Sequence, residues 1–161
     1  MWPAWLKSVK NSFNRRFSWN KMQPSEEAAE QYFVEQGWKF ERFGWDRTKI
    51  RTRGLPVKYR FMPDYVVDKG KGNYALIECK GMSSRGKVLR LKVMMYDVLE
   101  EHYTADLELR ILAYALPSED LYDAPFTVFR RDLAKIEEAH DGAVFLVFPL
   151  SVFEEHLVID T

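Results

Sequence analysis

Two apolar stretches at 64–68 and 74–80 constrain the fold of this 161-residue chain more than any other feature, because only Lys-Gly-Lys-Gly-Asn separates them. This pattern predicts a β-hairpin with the glycines in its turn. Side chains alternate along a strand, so Glu78 and Lys80 are expected on one face and Cys79 on the other. Strand pairing brings Asp64 close to Glu78. The hairpin therefore predicts two carboxylates and an ammonium group together at one end of a largely apolar strand pair.

Such a cluster has a chemical requirement. Two buried like charges are costly unless a cation neutralises them. Mg²⁺ suits the cluster because it takes oxygen ligands, keeps several waters and accepts substrate phosphate oxygens; we expect Mn²⁺ to substitute. Lys80, beside the metal, is positioned to orient the attacking water or to help deprotonate it.

The residues Pro63, Asp64, Glu78 and Lys80 match the motif of the PD-(D/E)XK nucleases, and the chain resembles that superfamily. The resemblance implies a restriction-endonuclease-like core and metal-dependent hydrolysis of phosphodiesters. It further implies Asp64 and Glu78 as metal ligands, the backbone carbonyl of Cys79 as another, and Lys80 at the water.

Many members of this superfamily carry a further glutamate on the helix before the first core strand. Glu26 is our first candidate, since it shares a helical face with Ala29 and Phe33; Glu27 is the next and Glu30 a weaker one. The resemblance implies a catalytic role for Glu26, with a contact to the metal directly or through a water. From residue 25 to 116 the order of elements is similar to phage endonuclease I-type and archaeal-type Holliday junction resolvases.

The remaining patterns predict an α/β (α+β) domain with one mixed sheet flanked by helices. We expect a helix capped by Ser25 and ending at Gly37, a long helix from Ser83 or Ser84 to about residue 103, and a strand over 107–116. A helix over 131–140 and a strand over 143–148 follow. We expect one nuclease domain, 1–161, made of a basic aromatic arm (1–24), a catalytic core (25–116) and a C-terminal addition (117–161).

The net charge of zero conceals two unlike halves. Residues 1–96 contain 20 Lys and Arg against 9 Asp and Glu, whereas residues 97–161 contain 4 against 15. The excess is +11 in the first part and −11 in the second, which predicts a DNA-facing basic side, unless folding interleaves the halves. The residues expected to contact DNA flank the motif: Arg47, Lys49, Arg51, Arg53, Lys58, Arg60, Arg85, Lys87, Arg90 and Lys92.

The resemblance implies a structure-selective DNA endonuclease, foremost a Holliday junction resolvase that makes paired cuts with 5′-phosphate ends and therefore acts as a homodimer. Two alternatives stay open: a restriction-like or end- and flap-processing nuclease acting on duplex DNA, and an inactive DNA-binding module. The single cysteine and the short apolar runs predict a cytoplasmic protein that does not enter a membrane, including the case of a phage protein acting in its host.

Overall fold

The structure is a computed structural model that describes residues 23–43, 54–82, 87–103, 107–116 and 118–159. The helices and strands, in chain order, are α1 (Pro24–Glu35), β1 (Lys39–Arg42), α2 (Val57–Arg60), β2 (Tyr65–Asp68), β3 (Tyr74–Met82), β4 (Leu89–Lys92), α3 (Val93–His102), β5 (Glu108–Ala115), β6 (Leu121–Pro125), β7 (Lys135–Glu138), β8 (Val144–Phe148) and β9 (Leu157–Ile159). Short 3₁₀ helices cover Phe126–Val128, Arg131–Leu133 and Leu150–His156.

The strands form two sheets, one of six strands in the order β1-β2-β3-β5-β6-β9 and one of three in the order β4-β8-β7. Strands β3 and β5 run parallel, and the other neighbours in both sheets are antiparallel. The predicted α/β class with a mixed central sheet and flanking helices is confirmed. None of the helices in the described ranges has the length and apolarity needed to cross a membrane.

Both faces of the large sheet are covered by helices. On one face, Phe33 of α1 packs in a cluster with Ile77 and Leu112. On the other face, Leu99 of α3 lies in the cluster that includes Ile111. Because burial of apolar side chains on both faces fixes strand register, the position of every polar residue at the strand ends is fixed with it.

The predicted hairpin is confirmed as β2 and β3. Tyr65 pairs with Ile77 in antiparallel register, and the turn takes left-handed backbone angles at Gly70, Lys71 and Gly72. Helix α1 also lies where expected and ends before Gly37, whose φ of +69° suits a residue without a side chain.

The predicted N-cap of α1 is wrong. Gln23, not Ser25, is the N-cap; its backbone N–H donates to Glu26 Oε2 at 2.9 Å, and Ser25 is buried inside the first turn. This bond uses the N3 carboxylate in the manner of a capping box. The bond fixes Oε2 of Glu26 at the N-terminal end of α1.

The predicted long helix from Ser83 or Ser84 to about residue 103 is also wrong over residues 87–92. Leu89 and Leu91 are fully buried while Arg90 and Lys92 are exposed, which is the two-residue period of strand β4. Strand β8 pairs with one edge of β4, and the helix begins only at Val93. Arg90 and Lys92 therefore lie on a strand and not on a basic helix.

The predicted helix over 131–140 is replaced by one 3₁₀ turn and the strand β7. All four residues of β7 are exposed, so no apolar alternation marks it in the sequence. Pairing with β8 stabilises it instead.

The C-terminal region also contributes β6 and β9 to the large sheet. Of the predicted N-terminal arm, residues 1–22 lie outside the described residues.

Candidate metal centre

Asp64 immediately precedes β2, at the end of the hairpin away from its turn. Its Oδ2 accepts a 2.8 Å hydrogen bond from the backbone N–H of Cys79 in β3. This bond joins the carboxylate to the neighbouring strand, one residue past Glu78. The predicted proximity of Asp64 and Glu78 follows from this contact and from the strand register.

Glu78 and Lys80 project from the same face of β3, as alternation requires. The Lys80 Nζ lies 2.7 Å from Oε1 of Glu78, whose side chain is only 6% exposed, whereas that of Lys80 is 29% exposed. Between them, the Cys79 side chain faces the α1 cluster and is buried. The thiol is therefore part of the core, and burial raises its pKa well above its ordinary value.

The electrostatics of Asp64 reflect its surroundings. Burial, and next the charge of Glu78, raise the pKa of Asp64 to about 7, against the hydrogen bond from Cys79 and the charge of Lys80, which lower it. For Lys80, burial acts to lower the pKa, but the charge and hydrogen bond of Glu78 outweigh it and the pKa is raised. Lys80 is therefore a stable ammonium ion at neutral pH.

Glu26 lies on the α1 side of this cluster, and its charge reaches Asp64. Besides the bond from Gln23, its Oε1 lies 3.7 Å from Nη1 of Arg42. One helical turn later, Glu30 Oε1 accepts a 2.7 Å hydrogen bond from the Tyr65 hydroxyl and lies 3.5 Å from Nη2 of Arg42. Two helix carboxylates thus share one guanidinium.

Arg42, which was not among the predicted site residues, lies beside this site. Its guanidinium carbon lies 5.4 Å from the centroid of the Tyr65 ring, and the charges of Glu26, Glu30 and Asp64 all act on it. The available signal was the alternation of β1, which places Arg42 on the face covered by α1. Arg42 links the helix carboxylates to the hairpin.

The donor chemistry of Asp64 and Glu78 fits a Mg²⁺ ion. Both supply hard oxygen ligands, and their burial and mutual repulsion, which raise the pKa of Asp64, are the kind of cost that a divalent cation offsets. Within the described ranges, no three His, Cys, Asp or Glu side chains converge closely enough to hold a metal ion alone. Mg²⁺ is commonly bound through one or two carboxylates with waters and substrate phosphates, which is the set available here.

The basic residues predicted to contact DNA differ in their exposure and in their contacts. Lys58 is exposed on α2, with its Nζ 4.8 Å from the centroid of the Tyr59 ring, while Arg60 donates a 3.1 Å hydrogen bond to the Leu55 carbonyl. Lys87 is half-buried before β4, and Lys92 is exposed. The other residues lie outside the described residues: Arg47, Lys49, Arg51, Arg53 and Arg85.

The two oppositely charged halves are not separate in the fold. Arg90 Nη2 lies 2.6 Å from Oε2 of Glu137, and Lys69 Nζ lies 3.2 Å from Oε2 of Glu108. Each pair joins a base from the first half to an acid from the second. Folding therefore interleaves the halves in these places, and Arg90 is already paired.

Comparison with known proteins supports the fold. No profile of a protein family matches the chain, and no curated protein sequence matches it significantly. Among solved structures, it is similar to Hjc, a Holliday junction resolvase from the hyperthermophilic archaeon Archaeoglobus fulgidus, with 16% identity and a TM-score of 0.52 over 85% of this chain and 93% of that one. D212, a nuclease from a fusselovirus, matches with 8% identity and a TM-score of 0.45 over 95% and 88% of the two chains. The chain therefore shares the fold of Hjc, an α/β fold with a mixed central sheet and flanking helices, in agreement with the fold expected from the motif.

Proposed function

We propose that this protein is a divalent-metal-dependent DNA endonuclease whose catalytic residues are Asp64, Glu78, Lys80 and Glu26. One observation carries the proposal: Asp64 and Glu78 meet at the end of the hairpin with Lys80 bonded to Glu78 at 2.7 Å. A structural role alone would not require two repelling carboxylates in one largely buried place.

In this mechanism, Asp64 and Glu78 would hold a Mg²⁺ ion, together with the Cys79 carbonyl and with Glu26 directly or through a water. The bound ion would supply Lewis acidity and lower the pKa of a water at the site. The 2.8 Å bond from Cys79 fixes Oδ2 of Asp64, and Glu78 orients the Lys80 ammonium. Because the pKa of Lys80 is raised, Lys80 orients water and stabilises negative charge on the phosphate instead of acting as a base.

We propose four-way DNA junctions as the preferred substrate, acted on by a homodimer that makes two symmetric cuts with 5′-phosphate ends, in the cytoplasm of a cell or of a phage-infected host. The likeness to Hjc, described as a Holliday junction resolvase, supports this choice over linear duplex. Two active centres related by a twofold axis match the symmetry of a four-way junction.

The deciding experiment is cleavage of an immobile four-way junction and of linear duplex with the same arm sequence, in Mg²⁺ and in EDTA. We expect Mg²⁺-dependent paired cuts in the junction and little cutting of the duplex. Asp64→Asn should abolish cleavage while junction binding persists. Asp68→Asn, which alters an aspartate at the turn end of β2 that accepts a 2.8 Å bond from Gly70, is the matched control and should cleave normally. Full cleavage by Asp64→Asn would refute the assignment, and equal rates on both DNAs would refute the preference.

A further inference from the structure

An aromatic side chain lies directly beside the proposed catalytic aspartate. The register between β1 and β2 ends with Arg42 paired to Tyr65. One residue further on, the backbone N–H of Phe43 donates a 2.8 Å hydrogen bond to the carbonyl oxygen of Asp64. This bond continues the pairing, so Phe43, Asp64 and Glu78 form a row across three neighbouring strands.

The face to which Phe43 belongs follows from alternation. The Arg42 side chain lies over the Tyr65 ring and contacts α1, so the next residue is directed to the opposite face of the sheet. That is the face from which Glu78 and Lys80 project, because Cys79 between them packs toward α1. Phe43 thus forms one border of the site.

Phe43, one residue past β1, is 38% exposed, in contrast to Phe40 within that strand, which packs against Phe33 of α1. A single exposed apolar residue needs no explanation by itself. Here, however, the ring borders the place proposed to take a phosphate, and Lys80, whose side chain is 29% exposed, projects from the same face of the sheet. An aromatic ring and a cation beside a phosphate site are the groups that bind unpaired nucleotides, the ring by stacking and the cation by charge.

We propose that Phe43 is a specificity-determining residue on which the base next to the cleaved phosphate stacks. The preferred substrate is then DNA in which this base is unpaired or leaves its stack easily, as at a branch point. A base inside continuous duplex has both faces covered by its neighbours and must first be unstacked, which is unfavourable. Stacking on Phe43 therefore favours branched over linear DNA and fixes the phosphate relative to Asp64. This inference rests on the proposed nuclease function and names its substrate class.

The test compares Phe43→Ala and Phe43→Tyr in the full chain carrying Asp64→Asn, so that bound DNA stays intact. The probes are an immobile four-way junction with 2-aminopurine beside the mapped cut and a linear duplex of the same sequence. Tyr74→Ala is the control, since Tyr74 is a comparably exposed aromatic residue at the first position of β3, beside the hairpin turn and away from Asp64 and Glu78. Phe43→Ala should weaken junction binding about tenfold and duplex binding less than about twofold, and should abolish the quenching of 2-aminopurine that stacking produces. Phe43→Tyr and Tyr74→Ala should bind the junction normally.

Equal losses on both DNAs, or unchanged affinity and quenching in Phe43→Ala, would overturn the inference. These outcomes are separable from failure of the proposed function, in which the unsubstituted chain cuts neither DNA in Mg²⁺. With Asp64 intact, Phe43→Ala should raise KM for the junction much more than it lowers kcat at saturating DNA. A lower kcat with unchanged KM would also count against stacking.

Discussion

The Lys80 ammonium lies 2.7 Å from Oε1 of Glu78, and the two side chains differ in burial. The carboxylate is almost fully buried, whereas the lysine reaches solvent. Glu78 is thereby neutralised by a group that remains accessible from solvent. Asp64, on the next strand, receives only a backbone N–H bond and the weaker influence of Lys80. The two carboxylates therefore differ in how they respond to substitution.

Lys80→Met should destabilise the protein by roughly 2–4 kcal/mol, because it leaves the Glu78 charge buried without its partner. Adding Glu78→Gln should recover much of that loss, since the uncompensated charge disappears. Urea unfolding of the two single variants and the double variant measures the coupling. Additive losses would show that the pair contributes no mutual stabilisation. Lys80→Met and the double variant should both be inactive in cleavage.

Asp64→Asn should stabilise the metal-free protein at alkaline pH. The pKa of Asp64 is about 7 in the folded protein against an ordinary value of 3.8, so the folded state holds this proton more tightly than the unfolded chain does. Stability is then lost as the pH rises from about 4 to about 7, and the asparagine variant escapes this loss. We expect its Tm to exceed that of the unsubstituted chain at about pH 8 and to match it near pH 4.

Thermal unfolding in EDTA measures this difference, with Asp68→Asn as the control. Mg²⁺ added at about pH 8 should raise the Tm of the unsubstituted chain and leave that of Asp64→Asn nearly unchanged, because ligand binding stabilises only a protein that retains the site. A Tm for Asp64→Asn below that of the unsubstituted chain at this pH would contradict the electrostatic account.

The parts of this site that the sequence predicts are local. Asp64, Glu78 and Lys80 lie on one hairpin, whose turn and alternation are readable from adjacent residues. Arg42 and Phe43 were missed because their proximity to the hairpin depends on pairing between β1 and β2, which no local period reveals. Likewise, Leu91 fits a helical stripe with Met95 and Val98 as well as it fits a strand with Leu89, and only the distant partner β8 distinguishes the two.

The two α1 carboxylates beside Arg42, Glu26 and Glu30, should differ in function. Glu26→Gln should lower the cleavage rate at least tenfold, as expected for a group that supports the metal. Glu30→Gln should keep the cleavage rate within about twofold of the unsubstituted chain. It should lower the free energy of unfolding by about 1 kcal/mol, because Glu30 Oε1 accepts a 2.7 Å hydrogen bond from the Tyr65 hydroxyl. Tyr65→Phe should reproduce the stability loss. Inactivity of Glu30→Gln with normal cleavage by Glu26→Gln would reverse the assignment.

Lys58 and Arg90 should differ in their effect on DNA binding, although both were predicted to contact DNA. Lys58 is exposed, with its Nζ 4.8 Å from the centroid of the Tyr59 ring, whereas Arg90 Nη2 lies 2.6 Å from Oε2 of Glu137. A lysine that neutralises one phosphate contributes about 0.9 to the slope of log affinity against log salt concentration. We expect Lys58→Ala to lower the slope by about this amount and Arg90→Ala to change it less, because Arg90 must first leave its carboxylate partner. Titrations of junction DNA between about 50 and 200 mM salt, in the Asp64→Asn background, measure both slopes. A larger change for Arg90→Ala than for Lys58→Ala would show that DNA displaces Glu137 and that β4 lies in the DNA interface.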